Sequence, residues 1–238
     1  MKPELLKSFW KYADPEYKLQ FIHNKVKFEP EGELENEYIE QLMLVEFING
    51  DEKILEFGAN IGRTSIVAST LLDNDKNLVC IEPGDEVGKL ENNKLLNNRN
   101  FSIFGGALSY RPIWKPKDSW QSTTDPNHSD EHVALSTLTF EEIEEMHNIT
   151  FDTFLIDCEG AFYNILQDNP NILKNIKKIF IENDFDQTRN DKELVHQAFR
   201  DNGFKVIKEY PIDHWIWGQV SNFWQVWVKD YDSHSCKN

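Results

Sequence analysis

A carboxylate and two glycines set four residues apart, Glu56-Phe57-Gly58-Ala59-Asn60-Ile61-Gly62, close an apolar run that begins at Lys53 (KILEFGANIG). Residues without a Cβ let a chain turn tightly and let a ligand approach its backbone. The acid in front of the turn suits a ligand with positive charge, whereas a dinucleotide pyrophosphate is met by bare amides at a helix N-terminus. The Glu-x-Gly-x-x-x-Gly spacing departs from Gly-x-Gly-x-x-Gly and so disfavours NAD. A second acid, Glu82, closes the next apolar run (LVCIE), 82 − 56 = 26 residues after Glu56. A carboxylate at that place in a nucleotide-binding sheet accepts hydrogen bonds from ribose hydroxyls. Each signal alone is equally readable as structure, a turn or a solvated strand end. Together they lead to the expectation of a site for a cationic ligand with a ribose, such as S-adenosylmethionine.

Two further pairs of acids end apolar runs: Asp157 and Glu159 in FLIDCEG, and Glu182 and Asp184 in FIENDF. Such carboxylates can take a proton from a nucleophile, hold a hard cation such as Mg²⁺, or only orient helix amides. His128 and His132 in NHSDEH have the spacing of a metal pair. Their surroundings are loop-like rather than helical, which favours a solvated acidic loop.

Acids can cooperate only if the strands that carry them end together. Short apolar runs rich in β-branched residues recur between stretches of helical spacing, the pattern of a parallel sheet covered by helices. Seven strands are expected, near 53–57, 78–82, 101–107, 151–157, 177–182, 204–210 and 222–228. Helices are expected at Thr64–Leu72, Asp85–Asn97 and Asp191–Asn202, the last stopped by Gly203. About a dozen residues with Pro211 separate the last two strands, too few for a covering helix, so these two pair antiparallel. The expected fold is α/β: a Rossmann-like, seven-stranded, mainly parallel sheet with an antiparallel last strand. In such sheets ligands bind beyond the carboxyl ends of the strands, where strand order reverses.

Residues 1–50 read as a helical leader packed on the core, with helical character at Asn36–Ile48, and residues 51–238 as one domain carrying an insertion at 110–133. The insertion is rich in Pro, Ser, Thr and Asp and is long for a loop. Trp114 and Trp120 within it, and Trp215 and Trp217 between the last two strands, are placed to stack on a sugar ring or to pack on the leader. Trp224 and Trp227 fit a strand and the core.

A hydrophobic content of 39% with 13% aromatics belongs to a packed globular chain. The formal net charge of −16 repels a polyanion, so a nucleic-acid partner is not expected, although solubility accounts for acidity as well. Cys80, Cys158 and Cys236 show no Cys-x-x-Cys spacing, and the first two sit in apolar runs as small hydrophobes of a reducing compartment. The opening MKPELLKSFWKY has no apolar stretch of signal-peptide or membrane-span length, so a cytoplasmic location without a membrane partner is expected. No feature speaks to oligomeric state.

The segments ILEFGANIG, IEP (Ile81–Pro83), GGALS (Gly105–Ser109), STL (Ser136–Leu138), IDCEGA (Ile156–Ala161) and FIE (Phe180–Glu182) follow one another across roughly 50–210. In these the chain resembles the FkbM family of S-adenosylmethionine-dependent methyltransferases, most specifically in the pairing of GANIG with IDCEGA. The resemblance implies the class I methyltransferase fold and an O-methyltransferase acting on a small-molecule or glycan substrate, with a sugar hydroxyl as acceptor. It implies cofactor contacts at Glu56, Gly58, Asn60, Gly62 and Glu82, with Gly106 and Ala107 near the adenine and Asp157 facing the methyl donor. Three positions depart from the family pattern: Leu155 stands where a lysine is usual, Phe162 where a second glutamate is frequent, and Thr139 where an aspartate is common. These leave the cofactor turn intact and leave the catalytic residues and any metal open.

For methyl transfer the acceptor oxygen must lie in line with the sulfonium methyl, and a general base or a metal would help a weakly acidic hydroxyl. Asp157 or Glu159 is the first candidate for the base, Glu182 and Asp184 the second. Mg²⁺ held by carboxylates is the alternative. The departures also give weight to a non-catalytic binding module that keeps the fold.

Overall fold

The four-residue runs Ile54–Phe57, Leu78–Ile81 and Thr153–Ile156 are buried along their whole length, as strands covered on both faces must be. The computed structural model describes residues 13–116, 132–186, 188–214 and 218–229. Along them run α1 (Pro15–His23), α2 (Tyr38–Phe47), β1 (Ile54–Phe57), α3 (Arg63–Leu71), β2 (Leu78–Ile81), α4 (Val87–Leu96), β3 (Ser102–Phe104), β4 (Ala107–Leu108), β5 (Trp114–Pro116) and β6 (His132–Ala134). There follow β7 (Thr137–Leu138), α5 (Phe140–His147), β8 (Thr153–Ile156), α6 (Phe162–Asp168), β9 (Lys178–Glu182), α7 (Asp191–Asp201), β10 (Phe204–His214) and β11 (Gly218–Lys229).

Seven of the strands form one sheet in the order β10-β11-β9-β8-β1-β2-β3. β1 lies parallel between β2 and β8, so strand order reverses at the end of β1. The last strand is antiparallel to β10, as the short connection requires, and it is inserted antiparallel beside β9 as well. Helices cover both faces. Leu55, Phe57, Phe154 and Ile156 face a core shared with Phe140, Phe162 and Phe199 of α5, α6 and α7. Ile54, Cys80, Leu155 and Phe180 face the other core, with Leu19, Leu44, Ile66 and Leu90 of α1 to α4. Side chains alternate between faces along a strand. Glu56, Asp157 and Glu182 each follow a residue of the second core by two positions, and so all three turn toward α2 and α3.

The expected strand at 101–107 is corrected. β3 ends at Phe104, and Ala107–Leu108 pairs instead with Thr137–Leu138 in a separate two-stranded sheet. Gly106 makes the break, since a Cβ there would lie 2.4 Å from Ser136 O and 2.6 Å from the Phe104 ring. Helices α5 and α6 were not expected, whereas α1 and α2 fall within the expected helical leader. The α5 start has a readable reason: Thr139 Oγ1 accepts the Glu142 amide while Glu142 accepts the Thr139 amide. Thr139, the departure from a common aspartate, is therefore a helix cap. Among the described residues no helix is long and apolar enough to cross a membrane.

Candidate functional site

The turn after β1 is held from both sides. Gly58 and Ala59 donate their amides to Ile81 O at 3.0 and 3.1 Å. Gly58 has φ +82°, and a Cβ on it would sit 1.7 Å from Asp157 O, so the ends of β1 and β8 touch through a position only glycine can fill. Asn60 also takes a left-handed conformation, φ 50°, and its amide donates to Glu82 at 2.7 Å. Gly84 donates to the other Glu82 oxygen at 2.5 Å. Glu82 is thereby fixed beyond the end of β2 with one lone pair left on each oxygen. Burial raises its pKa despite these two amides.

A cavity of about 380 Å³ opens at this switch point. Gly58, Asn60, Glu82 and Ala107 line it, together with Asp157 and Glu159. Asn164 and Asp168 of α6, Arg111 and Arg189 complete its wall, none of them singled out by the sequence. Arg111 is paired with Asp168 at 2.9 Å and Arg189 with Asp191 at 2.9 Å. The sheet order and this turn decide the architecture. It is the Rossmann-like methyltransferase fold.

Three of the expected contact residues lie elsewhere. Glu56 is 2% exposed and accepts from Thr64 Oγ1 and Ser65 Oγ at 2.5 Å and from Cys80 Sγ at 3.0 Å. It stitches β1 to α3 and β2 instead of lining the large cavity. Gly62 is the left-handed residue that starts α3, where a Cβ would lie 2.6 Å from Leu90 Cδ1. Gly106 packs on Ser136 and Phe104 as described. His128, Trp120, Trp215, Trp217 and Cys236 lie outside the described residues. Trp114 stands in β5, which pairs with β6 at the base of the insertion.

Asp157 and Glu159 are not equivalent. Glu159 is exposed on the cavity wall. Asp157 lies between the large cavity and a small space of about 20 Å³, room for one water, which Glu40 of α2, Glu56 and Glu182 also line. One oxygen each of Glu40, Asp157 and Glu182 lies within 4.8 Å of the others, the place a divalent ion would take. Trp224 packs against the second core, as expected, and donates Nε1–H to Glu182 at 3.1 Å. Trp227 lies in the first core, 2% exposed. Leu155 lines the small space where a lysine would have brought a cation. Phe162 is fully buried, its ring edge-on to Phe57 and Phe154, so no glutamate fits there.

Acids crowded out of water keep their protons. Burial, then the neighbouring Glu37 and Asp184, raises Asp157 well above the usual carboxylate range. Burial, then Asp157, pushes Glu182 up to about 12. Burial with Glu159 raises Asp184 to about 7, and burial with Glu40 raises Glu37 to about 7. A carboxyl whose pKa is higher folded than unfolded binds more protons in the folded state, so its contribution to stability falls as pH rises above the unfolded value. Glu182→Gln is therefore expected to stabilise the protein by about 1–3 kcal/mol at pH 8 and by less at pH 5. Denaturant melts at the two pH values check this, and a loss at pH 8 would contradict it.

No protein-family model matches the sequence, and no curated protein matches it. Solved structures similar to the chain include the ribosomal protein L11 methylase of Lactobacillus delbrueckii subsp. bulgaricus (12% identity, 81% of this chain and 77% of that one, TM-score 0.47). Others are a protein of the NADB-Rossmann superfamily from Streptococcus agalactiae (12% identity, 81% and 68%, TM-score 0.48) and the O-methyltransferase of Bacillus cereus in complex with SAH (14% identity, 91% and 92%, TM-score 0.45).

Proposed function

We propose that the chain is an S-adenosylmethionine-dependent O-methyltransferase of the FkbM type that methylates a hydroxyl of a sugar or glycan. The observation that carries the reading is the single cavity joining the Gly58 turn and the anchored Glu82 carboxylate to Asp157 and Glu159. These residues fit the cofactor: a tight backbone turn at Gly58, an acceptor for ribose hydroxyls and carboxylates for a cation. When bound, the cofactor supplies an electrophilic methyl on a positive sulfur.

Glu82 accepts from the ribose while Asn60 and Gly84 keep it aimed. Asp157, whose carboxyl burial and acidic neighbours push toward the protonated form, ionises more readily beside a positive ligand and so favours the cation over its neutral product. Glu159 would accept the proton of the acceptor hydroxyl as its oxygen takes the methyl whose bond to the sulfonium sulfur breaks. The polar wall at Asn164, Asp168, Arg111 and Arg189 offers donors and acceptors to a hydroxylated acceptor. The net charge of −16 speaks against a nucleic-acid acceptor.

Glu82→Gln removes one acceptor and is expected to weaken S-adenosylhomocysteine binding by about 10–100-fold, read by calorimetric titration. Transfer of labelled methyl from S-adenosylmethionine to a glycan panel tests the function. Label on a sugar oxygen supports it, and cofactor binding without transfer to any acceptor favours the non-catalytic module. The close oxygens of Glu40, Asp157 and Glu182 favour a second reading in which Mg²⁺ assists. Its test is chelation followed by Mg²⁺, and activity unchanged throughout removes it.

A further inference from the structure

A cavity of about 290 Å³ lies between α1 and the C-terminal ends of α3 and α4, at the opposite end of the strands from Glu82. Lys25, Lys27 and Arg99 line it, and among the described residues no carboxylate does. The chain has 41 acids against 25 lysines and arginines, so a wall with three cations and no acid runs against its composition. Among the described residues none of the three is in an ion pair. The Lys25 ammonium rests 4.5 Å from the centre of the Phe21 ring. Lys27 is fixed by its backbone, whose N–H and C=O are both bonded to the Asn97 side chain at 2.8 and 2.7 Å.

Arg99 is half-buried. Its Nη1 and Nη2 donate to Ser69 O at 3.4 Å and Thr70 Oγ1 at 2.6 Å, and its Nε is buried without an acceptor. Burial lowers its pKa, opposed by the charge of Asp75. The negative ends of α1, α3 and α4 favour cations here, and Arg99 caps α3 in that way. Among the described residues they give the two lysines no anion, and three cationic groups on one concave wall with no acid beside them call for a ligand that brings negative charge.

We propose that this cavity binds a phosphate-bearing small molecule, with Lys25, Lys27 and Arg99 on the phosphate and Ile22, Val26 and Leu96 against an apolar portion. Its volume suits a small ligand better than a folded segment of another protein. A phosphate brings several strong acceptor oxygens, enough to serve two ammonium groups and a guanidinium at once.

The test is a titration of the full chain with inorganic phosphate and with phenyl phosphate, at constant ionic strength, followed by calorimetry. Expected is saturable one-to-one binding of phenyl phosphate, tighter than inorganic phosphate. Lys25→Glu with Lys27→Glu, both exposed, should weaken it by about tenfold or more and leave S-adenosylhomocysteine affinity unchanged. Arg99→Gln should weaken it too, in protein whose thermal unfolding shows it still folded. No saturable binding of either probe overturns the proposal, as does affinity indifferent to the lysine reversals or lost instead in Arg111→Gln with Arg189→Gln. Equal affinity for the two probes overturns the apolar portion.

Discussion

Glu159→Gln is expected to lower kcat for methyl transfer by about 10²–10⁴-fold while the Kd for S-adenosylhomocysteine changes by less than about threefold. The two readouts separate because Glu159 stands exposed on the cavity wall and holds no part of the cofactor turn. Its left-handed backbone, φ 53°, is followed by Gly160, whose amide donates to Asp184 at 3.2 Å, so the loop keeps its shape when the carboxylate is neutralised. Asp157→Asn should behave otherwise. Asp157 lies against Gly58 and among acids, so its loss weakens discrimination of the cationic cofactor from its neutral product as well as transfer. Alanine at both positions should abolish transfer with the homocysteine form still bound. Full activity in that double variant, followed by methyl incorporation, would exclude both residues as the base.

Gly58→Ala is expected to destabilise the protein by more than about 3 kcal/mol, or to prevent its folding. Two costs add at this residue. The backbone at φ +82° is one that L side chains rarely adopt, and a methyl group there would overlap the carbonyl of Asp157 at 1.7 Å. Relief requires β1 and β8 to part, yet these strands are central and parallel-paired from Ile54↔Thr153 to Phe57↔Ile156. Denaturant melts of the variant check the stability, and Gly88→Ala, with nothing within 4 Å of an added Cβ, is the control.

The strand ends that carry the site were legible because they repeat one pattern, an apolar run closed by an acid. Glu82 and Asp157 needed only that pattern and the rule that ligands gather at the switch point. Glu56 shows its limit. The acid before the turn follows Ile54 by two residues, and alternation alone turns it into the α3 face, where Thr64, Ser65 and Cys80 hold it. Glu40 had no signal of its own, since its place beside Asp157 depends on how α2 docks. Trp224 reaches Glu182 because β11 is inserted beside β9, a long-range pairing that no local sequence encodes. The Gly105-Gly106 pair was visible but reads as strand until Ser136 is known to pass behind it. The Thr139-x-x-Glu142 cap could have located α5.

The most direct measurement is a calorimetric titration of the full chain with S-adenosylmethionine, S-adenosylhomocysteine and NAD. The expected result is one-to-one binding of both S-adenosyl compounds, weakened in Glu82→Gln, and no binding of NAD. Binding of NAD in their place, or of none of the three, would contradict the assignment of the Gly58–Glu82 cavity to S-adenosylmethionine.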